Sequence, residues 1–108
     1  MNILVVSTAN SKYLVPIKDI ISCQNKDNKV VFHLVNNEMI ESNQQLSHFE
    51  SQLMNSNFFR PDNLHLVNIN FIETILHKDR TIIILSNSMK IRVNQDQQDN
   101  LFRIIENM

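Results

Sequence analysis

The stretch Phe58–Ile72, FFRPDNLHLVNINFI, places a guanidinium, a carboxylate, an amide and an imidazole between apolar neighbours. Arg60 and Asn63 are the residue types that meet phosphates and base edges. Asp62 is an acceptor that phosphate would repel, and His65 can serve as a donor or a ligand. Elsewhere the chemistry is thin. His33, His48, His65 and His77 are scattered without a His-x-x-x-His pair, and the lone Cys23 makes no zinc cluster. No metal and no cofactor are expected. No nucleophile elbow is present, which argues against hydrolases, and no enzyme is expected. Phosphate-cradling loops of the P-loop or dinucleotide type are excluded more firmly. They need glycine for close backbone approach, and the chain has none.

The elements that must hold these residues are short. Asn2–Val6, Lys12–Val15, Asp19–Cys23 and Lys29–Val35 read as strands, with Gln24–Asn28 as a turn. Asn36-Asn37 reads as a tight hairpin turn into Glu38–Glu41. The period then changes. Ser42 and Gln45 have capping-box spacing, and Leu46, Phe49 and Leu53 share one helical face, so a helix is expected over 43–54. Strand pieces return at 58–60, 64–67 and 71–76. Thr81–Leu85 (TIIIL) is almost continuously apolar, as in a strand buried on both faces. Met89–Val93 alternates, and Asn94 can cap a last helix with Leu101, Ile104, Ile105 and Met108 on one face. The expectation is a mainly β domain of small antiparallel sheets with one central and one C-terminal helix.

A chain of 108 residues, 43% apolar, suits one domain over residues 1–108 with one core. The net charge of −1 gives no general pull toward polyanions, so any nucleic-acid role needs a local patch. Cys23 reads as a small buried hydrophobe. No apolar run reaches the ~20 residues that span a bilayer. The opening MNILVV is short and lacks a basic start, so a soluble cytoplasmic protein is expected. With glycine absent, turns of positive φ must fall to Asn and Asp.

Residues 12–108 resemble, in order, a LytTR-type DNA-binding domain, the output module of many bacterial response regulators. LVPIKDII (14–21) is similar to an early x-I-P-x-x-D-I. The helix with Leu46, Phe49 and Leu53 leads to Asn57-Phe58-Phe59-Arg60, which resembles the family's F-F-R. Leu66–Ile72 resembles L-V-N-L-x-x-I, and TIIILSNSMKIRVNQ resembles the last hairpin. The resemblance implies small β-sheets with a helix packed on them. It also implies sequence-specific recognition of double-stranded DNA in bacterial transcription, by loops that enter successive major grooves without a recognition helix. On that basis the candidate DNA-contacting residues are Lys26, Asn28, Lys29, Arg60, Asn63, His65, Arg92, Asn94 and Gln95. The chain departs from the pattern at Asp62, where the family has His. It departs again at Gln95 and Asp96, where Val93-Asn94-Gln95-Asp96 stands for V-S-R-R. These acids motivate a second reading: a degenerate LytTR-like fold that no longer binds DNA and serves as a protein-interaction module, as a homodimer or with a regulatory partner. Phe58, Phe59, Val67, Arg60 and Asn68 read as scaffold, with the tip at Asp62, Asn63 and His65.

Overall fold

A computed structural model describes residues 2–108. Strands β1 (Ile3–Ser7) and β2 (Lys12–Pro16) pair as a two-stranded sheet. The main sheet has five strands, β3 (Ile20–Lys26), β4 (Lys29–Leu34), β5 (Met39–Ser42), β6 (Phe58–Phe59) and β7 (His65–Asn68), in the order β5-β4-β3-β7-β6. The third sheet, β8 (Ile72–His77), β9 (Thr81–Leu85) and β10 (Lys90–Arg92), has the order β10-β9-β8. Every pairing is antiparallel. Helix α1 (Leu46–Leu53) follows β5 and α2 (Gln95–Glu106) follows β10. Among the described residues, no helix is long and apolar enough to cross a membrane.

The main sheet is a middle layer. Phe58 and Leu66 join a core with Phe32, Phe49, Leu53, Val30 and Cys23. Their sequence neighbours Phe59 and Val67 join a second core with Ile21, Ile83, Leu85, Ile91 and Leu101. Because successive side chains alternate faces, the pairs Phe58-Phe59 and Leu66-Val67 each serve both cores. An eight-residue helix is marginal alone. α1 is held by burying Leu46, Phe49 and Leu53, with Phe49 edge-on to Phe32 at 4.8 Å. Burial pushes the Cys23 thiol pKa up, so this residue is packing rather than chemistry.

The turns follow from the missing glycine. Among the described residues, six have positive φ: Asp27, Asn28, Asn36, Asn37, Asn57 and Ser88. All but Ser88 are Asn or Asp, whose short polar side chains tolerate the left-handed region. Asp27 and Asn28 (φ 53° and 64°) form the two-residue turn between β3 and β4, the dihedral signs of a type I′ hairpin.

Five expectations need correction. The single core expected from chain length is instead two, one on each face of the main sheet. Gln24–Asn28 is not all turn. β3 runs on to Lys26 because Gln24 pairs with both Val31 and His65, and Asn25 with Val30. α1 begins at Leu46 rather than near residue 43, and the capping box does not form. The Ser42 hydroxyl donates instead to the Ser7 carbonyl (2.7 Å), and Gln44 Oε1 accepts from the Ser7 amide (3.2 Å). This stitches residues 42–44 to β1. β9 is not buried on both faces: Ile83 and Leu85 face the second core while Ile82 and Ile84 stay half-exposed. Met108 lies beyond the end of α2 and is 75% exposed, so it packs on nothing.

Candidate nucleic-acid interface

Three tips carry the candidate residues. The first is the β3–β4 hairpin. Lys26, Asn28 and Lys29 are all exposed. Lys29 lies 3.7 Å from Glu41, but both side chains are more than half exposed. Such a pair contributes little and leaves the ammonium free to exchange partners.

The second tip is the loop from Arg60 to Leu64. Its shape is fixed from below by Arg60, whose Nε donates to the Asp62 carbonyl (3.1 Å) and Nη2 to the Asn63 carbonyl (2.8 Å). Nη1 donates to Glu50 Oε1 on α1 at 2.7 Å. The guanidinium is therefore engaged within the protein, and its fork geometry suits this three-way role. Asp62 accepts from the Leu64 amide (2.8 Å), an Asx turn, and its two oxygens lie 2.9 and 3.0 Å from His65 Nδ1. Asp62 is thus a loop-former with a local partner, and a phosphate would not meet it as an isolated anion. Asn63 and Leu64 remain exposed at the apex.

The third tip is the start of α2. Arg92, Asn94 and Gln95 are exposed. Asn94 occupies the N-cap position, yet its side chain makes no capping bond; its carbonyl takes the Gln97 amide at 2.9 Å. Asp96 stands in the first helical turn, where a carboxylate complements the helix dipole.

Two backbone hydrogen bonds tie the tips together. The Asn25 amide donates to the Leu64 carbonyl (2.8 Å), and the Asn94 amide to the Pro61 carbonyl (2.8 Å). The middle loop is therefore clamped between the hairpin and the α2 start. Side chains divide around it. A half-open groove of about 400 Å³ gathers Asn25, Asn28, Arg60 and Asn63 with the segment leading into α1, Asn43 to Ser47. Lys26 and Lys29 line a different groove, of about 420 Å³, with Gln24, His33 and Glu41. Arg92, Asn94, Gln95 and His65 line neither. Beside the candidate residues, Asn25, Asn43 and Gln45 also line the first groove. The capping-box spacing places Gln45 at the third helical position, whereas in the structure it stands at the N-cap of α1 with no side-chain capping bond.

Buried Asn68 holds the sheet behind this surface. Its Nδ2 donates to the Ile20 carbonyl and its Oδ1 accepts from the Asn70 amide, each at 3.0 Å. His33 Nε2 is buried and has no hydrogen-bond partner among the described residues. Burial, then the positive charges of His65 and Lys26, lowers the His33 pKa below the ordinary imidazole value. Among the described residues, no three His, Cys, Asp or Glu side chains group as metal ligands would.

Three small antiparallel sheets with two helices and three adjacent exposed tips define the class of fold. Residues 10–106 match the family model of the LytTr DNA-binding domain, and the chain belongs to that family. The family is a regulatory, non-enzymatic one whose DNA binding serves bacterial transcription regulation. Among solved structures, a LytTr DNA-binding domain from Bacillus cereus, assigned to a methyl-accepting/DNA response regulator, shares the fold. The two are 19% identical over 97% of each chain, with a TM-score of 0.80. No curated protein matches the chain.

Proposed function

We propose that residues 1–108 form one cytoplasmic domain that binds double-stranded DNA sequence-specifically, with its tips entering the major groove. The supporting observation is the pair of backbone bonds, Asn25 to Leu64 and Asn94 to Pro61, that lock three exposed tips side by side. Rigidly placed amides can read base edges, while Lys26, Lys29 and Arg92 supply charge toward phosphates. Arg60 within the loop and His65 at the start of β7 shape it. The test is selection of a duplex from a random pool, then titration of that duplex and of random DNA at two salt concentrations. Saturable binding with clear preference for the selected duplex is expected, with Asn63→Ala costing roughly 1–3 kcal/mol of that preference. Equal affinity for random DNA, or no saturable binding at low salt, overturns the reading.

A second reading is favoured by one surface. Val5 and Leu14 face each other across the β1–β2 pair and are 42% and 69% exposed, with Ile3 beside them at 37%. A two-stranded sheet also has open edges. In this reading the domain meets a second copy or a regulatory protein there and binds no DNA. Light scattering that gives a monomer, together with a clear DNA footprint, rules it out.

A further inference from the structure

We propose that Asn25 and Gln45 belong to the DNA-reading surface, and that the groove they share with Asn63 reads adenine-bearing base pairs. The inference rests on the DNA-binding reading above.

Asn25 lies on the inward row of β3. Cys23, two residues earlier, is fully buried, and the cross-strand partner of Asn25, Val30, is buried in the same core. Alternation therefore directs position 25 toward the α1 side of the sheet. The core stops short of it, and an exposed amide stands where an aliphatic side chain would extend the packing. Gln45 occupies the N-cap of α1 and makes no side-chain capping bond. Ser, Thr, Asp or Asn there would satisfy an orphan helix amide and stabilise the fold. Both positions thus forgo local stability, and both open onto one groove.

The chemistry of the groove is uniform. The side-chain amides of Asn25, Asn28, Asn43, Gln45 and Asn63 form no hydrogen bond within the described residues. The one cation lining it, Arg60, is committed to Glu50 and to two loop carbonyls. What remains is a neutral wall of paired donors and acceptors. A phosphate would call for a cation here. Adenine offers N6–H and N7 side by side in the major groove, the pattern that one Asn or Gln amide matches with two bonds. A neutral wall adds discrimination without displacing counterions, so its contribution is insensitive to salt.

The experiment compares wild-type protein with Asn25→Asp and Gln45→Ser on the selected duplex and on random DNA, at several salt concentrations. Asn25→Asp keeps the shape and removes the donor. Gln45→Ser supplies a real cap, so its melting midpoint is expected to rise while discrimination falls. Each variant is expected to lower the specific-to-random ratio between about five-fold and about 150-fold. Gln45→Ser should do so at an unchanged salt slope. Replacing the contacted adenines by 7-deazaadenine should weaken wild-type binding, and weaken the variants less. If both variants keep the wild-type ratio while Asn63→Ala loses it, the inference is overturned and the DNA-binding reading stands. A wild-type protein with no preference for any duplex would instead remove the reading beneath it.

Discussion

Arg60 separates two roles that a DNA-facing arginine can have, and Arg60→Ala distinguishes them. In the structure it is a clamp. Its ion pair with Glu50 is 2.7 Å long, with the two side chains 25% and 32% exposed. That environment lies between an exposed pair, worth ~0–1 kcal/mol, and a buried one, where removing a partner costs ~3–5 kcal/mol. About 1–2 kcal/mol is a fair value. The two carbonyl bonds sit at a solvated loop, so water replaces much of each and about 0.5 kcal/mol apiece remains. Arg60→Ala should therefore cost roughly 2–3 kcal/mol, or about 10–20 °C in melting midpoint for a domain of this size. Glu50→Gln keeps an acceptor but removes the charge, and should lose about 1 kcal/mol. Both variants loosen the Asn63 loop, so both should weaken binding to the selected duplex. The decisive readout is the salt dependence of that binding. A clamp leaves the slope unchanged. A phosphate contact contributes ~0.9 to it, and Glu50→Gln would then free the guanidinium and tighten binding. An Arg60→Ala protein that melts with wild type and shows a slope flatter by ~0.9 would refute the clamp.

Two further expectations concern stability. Asn68→Ala strands the buried Ile20 carbonyl and leaves the half-exposed Asn70 amide to water, so chemical denaturation should show a loss of about 1–3 kcal/mol with little change in m-value. His33 is held neutral by its surroundings, so the unfolded chain takes up its proton more readily than the folded one. Stability from this group is complete above the unfolded value of ~6.5 and declines as pH falls through it, levelling off below the depressed folded value. The urea midpoint of wild type should drop between neutral and mildly acidic pH by more than that of His33→Gln; parallel profiles would contradict this.

Much of the architecture is legible in local patterns because those patterns are driven by burial. Leu46, Phe49 and Leu53 report a helix face directly, and Met89, Ile91 and Val93 report a one-sided strand. Without glycine, positive φ had few places to go, and Asp27-Asn28, Asn36-Asn37 and Asn57 mark most of them. What local pattern could not supply was the partner across the fold. Ser42 had the spacing of a cap, but its hydroxyl is taken by Ser7, thirty-five residues away. Thr81–Leu85 looks two-sided and is not, because periodicity does not reveal which strands lie in the middle layer. Phe58-Phe59 and Leu66-Val67 hold that position, and in sequence they look no more buried than TIIIL. The family resemblance singles out three loops as candidates, whereas the division of their side chains depends on the twist and pairing of the β3–β4 hairpin. Lys26 and Lys29 go to one side and the amides to the other. Arg60 carries a charge in the sequence, and only the nearness of Glu50 shows that the charge is spent.

The shared middle sheet also bears on how the molecule can be taken apart. Peeling away α1 exposes the backs of Phe58 and Leu66, on the same two strands that wall off the opposite interior with Phe59 and Val67. Neither half is a viable fragment, and melting should be a single concerted event. Anyone wishing to trim or split this domain as a tool will find no seam inside it, and fusions belong at its two ends.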